Sequence, residues 1–151
     1  MIFYEKCDMK QLLYSAIIFG LCCLQPCDVW AQTSTLEVTV NNIKSDKGTI
    51  RIGLFTKEEF LKTPFEGKIV KATPEGVTVV FENLKAGTYA ISVVHDENEN
   101  GKMDTNKLGI PREGYAFGNN ALGKLGPPTF NQANVVIGPE TVKQVLKIKY
   151  L

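Results

Sequence analysis

The sequence predicts an all-β protein, a two-sheet sandwich of seven short strands with one long ordered loop after the fifth. Three observations carry this. Apolar and polar residues alternate in period two along most of the chain beyond residue 32. Turn signals rich in Gly, Asn, Asp and Pro separate the alternating runs. Almost no segment keeps a helical period, so the alternating faces must be buried by sheets packing on sheets.

Taken in order, Leu36, Val38 and Val40 share one face of a first strand, with Glu37, Thr39 and Asn41 opposite. Ser45-Asp46-Lys47-Gly48 is a turn, and Ile50, Ile52 and Leu54 then share a face of a second strand, with Arg51 opposite. The two runs read as a hairpin. Thr56-Lys57-Glu58-Glu59 has the form of a capping box, which predicts a short helical turn carrying Phe60 and Leu61 and ended by Pro64. Lys68 to Ala72 is a third strand, and Val77, Val79 and Phe81 mark a fourth that Leu84 closes. After a turn at Ala86-Gly87, Tyr89, Ile91, Val93 and His95 share one face of the fifth. Its other face, Ala90, Ser92 and Val94, is also mostly apolar, which places this strand centrally. Val135 to Ile137 and Val142 to Tyr150 complete the seven. The expected core is Leu36, Val38, Ile50, Ile52, Val79, Phe81, Ile91, Val93, Leu146 and Ile148.

The first residues read differently. Lys6 and Lys10 precede an apolar run, Leu12 to Leu24, that is short for a membrane span. Pro26 breaks the run, and Val29-Trp30-Ala31 puts small residues where a signal peptidase needs them. Residues 1–31 are therefore expected to be a signal peptide and residues 32–151 a single β-sandwich domain, exported to the periplasm or beyond. The competing readings are weaker: an uncleaved anchor has too short a run, and Leu21 before Cys22 is a poor lipoprotein match. All four cysteines lie in this segment, so the expected mature chain has no thiol and must be held by its core or by a metal. The 17 basic and 16 acidic residues nearly balance, and no basic stripe carries interleaved aromatics, so no nucleic-acid partner is expected. Beyond the signal segment no stretch is apolar enough to span a bilayer.

The loop from residue 96 to residue 133 is the anomaly. It sustains no period, yet Leu108, Ile110, Tyr115, Phe117, Leu122, Leu125 and Phe130 are apolar enough to pack, so an ordered cap is expected. It opens with His95-Asp96-Glu97-Asn98-Glu99-Asn100-Gly101-Lys102-Met103-Asp104. Asp96, Asn98, Asn100, Gly101 and Asp104 match the start of a calcium-loop pattern. Calcium takes six to eight hard oxygens at roughly 2.3–2.6 Å, and a chain turning tightly about an ion presents alternate side chains to it. Gly101 permits the turn, and Lys102 would offer its backbone carbonyl. The position that usually supplies a bidentate carboxylate is Lys107, so further ligands must come from elsewhere. Glu113, Asn119 and Asn120 are the candidates. The competing reading is a turn-rich loop, since Asn, Asp and Gly favour turns without any ion.

His95 is the only histidine. One histidine without cysteine falls short of a zinc ligand set, and no serine shares its strand face, so a hydrogen-bonded structural role is expected.

The stretch from Phe81 to Asn120 resembles the bacterial domain-of-unknown-function family 2141. Leu84, Gly87, Tyr89, His95-Asp96, Asn98, Asn100-Gly101, Asp104, Gly109, Pro111, Glu113-Gly114, Tyr115, Phe117 and Asn119 carry the likeness, followed by Pro127-Pro128 and Phe130. The resemblance implies an exported protein of bacteria with an envelope and no established activity. A looser likeness runs from Leu84 to Val93, whose L-x-x-G-x-Y pattern is similar to Ig-like/transthyretin-like and carboxypeptidase-regulatory-like sandwich modules. Those are accessory or adhesive domains more often than enzymes, but they lack the long loop.

The leading expectation is thus a non-catalytic binding or structural module of the cell envelope, with a calcium-stabilised loop and a protein or glycan partner. The alternative is a small secreted hydrolase using the His95/Asp96/Glu113 region. Geometry discriminates: an enzyme needs His95 in a cleft within reach of a carboxylate.

Overall fold

The computed structural model describes residues 34–151. The expected signal peptide, 1–31, lies outside them. The described chain is nearly all β, in two sheets.

The smaller sheet has three strands. β1 (Ser34–Asn41) is its centre, with β4 (Val77–Leu84) antiparallel on one side and β8 (Val142–Lys147) parallel on the other. In register, Val38 stands opposite Val79 and beside Gln144. The larger sheet is built around β5 (Gly87–Asp96), paired along one side with β2 (Thr49–Phe55), which in turn pairs with β3 (Glu66–Lys71). The other side of β5 is shared. β7 (Asn134–Ile137) pairs with its start, and β6 (Gly114–Phe117) with Ser92 to His95.

The alternation in the sequence becomes the core. Val38, Phe81 and Leu146 of the small sheet meet Ile52, Ile91 and Val135 of the large one in a single buried cluster. All ten residues expected inside are buried, none more than 5% exposed. Valine, isoleucine and threonine suit these pleated, half-buried surfaces. A second, smaller cluster packs on the outer face of β5 and β6. Ala90, Phe117 and Ala133 are its buried members, ringed by Phe60, Tyr115, Ala121 and Phe130.

Four expectations need correction. The strands number eight, not seven: β6 lies inside the segment expected to be one long loop, and splits it. Its four residues are too few to show an alternation, and only pairing with the end of β5 makes them a strand. β1 and β2 are not a hairpin. Asn42 adopts a left-handed φ of 64°, Ile43 turns inward, and the chain crosses from one sheet to the other. No helical turn forms after Thr56. The chain makes a turn closed by Lys62 N–H donating to the Glu59 carbonyl, and Leu61 at φ 61° stops it. The capping box instead belongs to a short helix, α1 (Phe130–Ala133), where Thr129 and Gln132 satisfy each other's backbone. Finally, the last run leaves its sheet after Lys147. Lys149 and Tyr115 exchange backbone hydrogen bonds of 2.8 and 3.0 Å, so the C-terminal residues tie β8 to β6.

Candidate functional site

The site candidate grows from the last residue of β5. Asp96 is paired through its backbone with Thr49, which fixes where its side chain starts. That side chain is fully buried. A buried carboxylate needs partners for its charge, and Asp96 finds them in the loop that follows it. Its Oδ1 accepts from Asn100 N–H at 3.1 Å, and its Oδ2 from Gly101 N–H at 2.8 Å. Arg51 Nη1 stands 3.8 Å from Oδ2. Two positive-φ residues, Glu99 at 60° and Gly101 at 78°, wind the backbone round to present those N–H groups. Gly48 packs so closely behind Asp96 that a Cβ there would fall 2.0 Å from the Asp96 carbonyl oxygen.

Two successive Asx turns continue the coil. Asn98 Oδ1 accepts from Asn100 N–H at 3.1 Å, and Asn100 Oδ1 from Lys102 N–H at 2.8 Å. Both amide nitrogens then point at one group. Asn98 Nδ2 donates to Asp104 Oδ2 at 2.7 Å, and Asn100 Nδ2 to Asp104 Oδ1 at 3.0 Å. Glu113, only 5% exposed, straps the two ends of the coil. Its Oε1 accepts from Glu97 N–H at 3.1 Å and its Oε2 from Asp104 N–H at 3.0 Å. Beyond Asp104, Asn106 closes a tight tip by accepting from both Leu108 and Ile110 N–H.

Asp96, Asn98, Asn100, Lys102, Asp104 and Glu113 are therefore brought together. Asn119 is not. It follows β6, which runs back along β5 and away from Asp96, and its Nδ2 donates to the Asn134 carbonyl at 2.7 Å. Asn120 faces β8, donating to the Val145 carbonyl at 3.0 Å and accepting from Lys147 N–H at 2.8 Å. Among the described residues no three His, Cys, Asp or Glu side chains stand together as a metal-holding group. A cation at this loop would have to rest partly on amide and carbonyl oxygens, which is the chemistry of a hard, oxygen-seeking ion.

His95 is fully buried, and both its nitrogens are engaged. Nε2 lies 2.8 Å from the Lys47 carbonyl, which can only accept, so Nε2 carries the proton. Nδ1 then accepts from the Tyr150 hydroxyl at 2.8 Å, and the Tyr150 oxygen accepts from Lys44 N–H at 3.0 Å. Neither nitrogen is directed at Asp96 or Glu113. Burial raises the Tyr150 pKa above its usual 10.0, the Lys44 N–H opposes that, and the Glu97 charge adds to it. Tyr115, Phe117 and Phe130, the loop aromatics, belong to the second cluster.

The sequence reading missed Arg51, Lys47 and Tyr150 as parts of this neighbourhood. Each comes from a distant stretch of chain, and only strand register brings it in. A family described as an uncharacterized protein conserved in bacteria, DUF2141, matches residues 38–145. The chain belongs to that family. The match begins in β1 and ends in β8, so the DUF2141 region contains the Asp96–Glu113 loop as well as the strands that carry it. No curated protein and no solved structure matches this DUF2141 chain.

Proposed function

We propose that this chain is an exported, non-catalytic binding or structural module of the bacterial cell envelope, its loop ordered by a weakly held calcium ion. Asp96, Asn98, Asn100, Asp104 and the Lys102 carbonyl are the ligands, with Glu113 holding the coil in shape. The observation that carries this is the convergence of both amides on Asp104. The oxygen and nitrogen of an amide exchange places by a half turn of the side chain. Turning Asn98 and Asn100 would aim two oxygens where two N–H donors now face the carboxylate, at the cost of both Asx turns: Asn100 N–H keeps Asp96 Oδ1 as its acceptor, while Lys102 N–H loses Asn100 Oδ1. A cation would then replace those donors, and water would complete the six to eight ligands calcium prefers. With two carboxylates among the ligands the affinity belongs with extracellular modules, Kd ~0.1–1 mM.

The engagement of both His95 nitrogens supports a non-catalytic role. Export rests on the character of residues 1–31. The transthyretin-like class rests on the L-x-x-G-x-Y stretch and the two-sheet architecture, and the partner is a protein or glycan of the envelope. Calorimetric titration with calcium tests the ion. The wild-type protein should give saturable heat, Asp104→Ala none, and Lys102→Ala nearly the wild-type heat, since only its carbonyl is used. Absence of heat from the wild type removes the ion from this account.

A further inference from the structure

The strand edges of the two sheets are guarded, with one exception. The outer edge of β8 is closed by the Asn120 side chain. β6 is bonded on its far side to Lys149. β3 carries Glu66, Lys68 and Lys71 among its six residues, and such charges keep an edge from pairing. β7, with four residues, is too short a template. β4 differs. It is eight residues long, borders only β1 among the described strands, and carries a single charge, Glu82. We propose that β4 pairs antiparallel with β4 of a second copy of this chain.

The register follows from which backbone groups are free. Asn41 turns its carbonyl to the β8 side, where Ile148 N–H donates to it at 3.0 Å. Backbone groups alternate in direction along a strand, so Leu36, Val38 and Val40 face β4 and meet Phe81, Val79 and Val77 there. Thr78, Val80 and Glu82 therefore turn their N–H and C=O groups to the open side. The side chains of all three are exposed. A two-fold axis through Val80 makes this edge its own complement. Val80 faces Val80 and Thr78 faces Glu82, each pair exchanging backbone hydrogen bonds. The same register brings Glu75, just before the strand, beside Lys85 of the second copy, just after it, and the reverse at the far end. Both side chains are exposed. An axis through Val79 or Phe81 sets Glu75 opposite Asn83 or Gly87 instead, so the charges select the Val80 register.

The axis reverses every strand, so the two Asp96–Glu113 loops stand at opposite ends of the pair and the module becomes divalent. The pairing uses no residue of the loop. One strand edge buries less than the ~1,600 Å² of a standard interface, so the dimer is weak, with Kd roughly 0.1 mM. Sedimentation velocity across micromolar to millimolar protein tests it, and should show monomer passing reversibly to dimer. Val80→Lys sets two like charges face to face at an exposed position, and should abolish the dimer while the monomer melts as wild type. Glu75→Lys and Lys85→Glu should each weaken pairing about tenfold, since the axis turns two exposed attractions into repulsions at once. The double exchange, Glu75→Lys with Lys85→Glu, should restore it, which neither a folding defect nor a non-specific contact would allow. Asp96→Ala should dimerise as wild type and Val80→Lys should keep the calcium heat, so the pairing and the ion fail separately. A wild type that stays monomeric at every concentration overturns the proposal. So does a dimer that Val80→Lys leaves intact, or charge variants that do not repair each other.

Discussion

Glu113 accepts a backbone N–H at each of its oxygens, and that symmetry makes it a sensitive position. Glu113→Gln keeps the shape but turns one oxygen into an NH₂ group facing the N–H of Glu97 or of Asp104. A buried donor left without an acceptor costs about 1–3 kcal/mol, so urea denaturation should show a loss of that size. Tyr150 gives a second prediction, in pH. Its folded pKa is raised above the unfolded value near 10.0, chiefly by burial. The folded state therefore holds this proton more tightly than the unfolded one, a contribution fully present below pH 10 and lost as pH rises through the folded value. Wild-type stability should fall more steeply above pH 10 than that of Tyr150→Phe, measured by denaturant midpoints across the range. At this scale the sequence was half legible. Asp96, Asn98, Asn100 and Asp104 announce themselves by spacing alone, because one short coil brings them together. Asn119 was misplaced because β6 carries it away, and Tyr150 was invisible because its contact with His95 spans the length of the fold.

Among the elements, β5 does the most. It pairs on both sides, carries Ile91 and Val93 into the main core and Ala90 into the second cluster, and ends at Asp96. Ile91→Ala should cost about 2–5 kcal/mol in equilibrium unfolding, as other large-to-small core changes do. Strands of six to ten residues with an alternating face were readable because one buried side imposes the pattern. β6 was not, since four residues hold too little of it, and no local rule says that β1 takes a parallel neighbour from the far end of the chain. The outer edge of β8 shows how a non-strand residue can finish a sheet. Asn120 bonds the Val145 carbonyl and the Lys147 N–H through its side chain, as a neighbouring strand would. Removing it in Asn120→Ala frees an edge, and free edges pair with other chains. Light scattering at raised concentration should show more self-association than in the wild type.

For the molecule as a whole, the described strands share one core while the Asp96–Glu113 loop is held by its own hydrogen bonds and by Asp96 and Glu113 beneath it. Loop and core are thus separable, and an ion at the loop should act on stability by mass action. A ligand bound only by the folded state adds RT ln(1 + [L]/Kd), about 1.4 kcal/mol at ten times Kd. For a domain of this size that is a rise of roughly 5 °C. Magnesium, which keeps its waters and demands a tighter octahedron, should do less. The most direct measurement is the melting temperature of the protein in chelator and in excess calcium, for wild type and for Asp96→Ala. The account predicts a calcium-dependent rise in the wild type that saturates, and none in Asp96→Ala, whose folded core still melts cooperatively. Equal melting temperatures for the wild type in chelator and in calcium would contradict it, and would leave the loop as a hydrogen-bonded Asn/Asp coil that needs no ion.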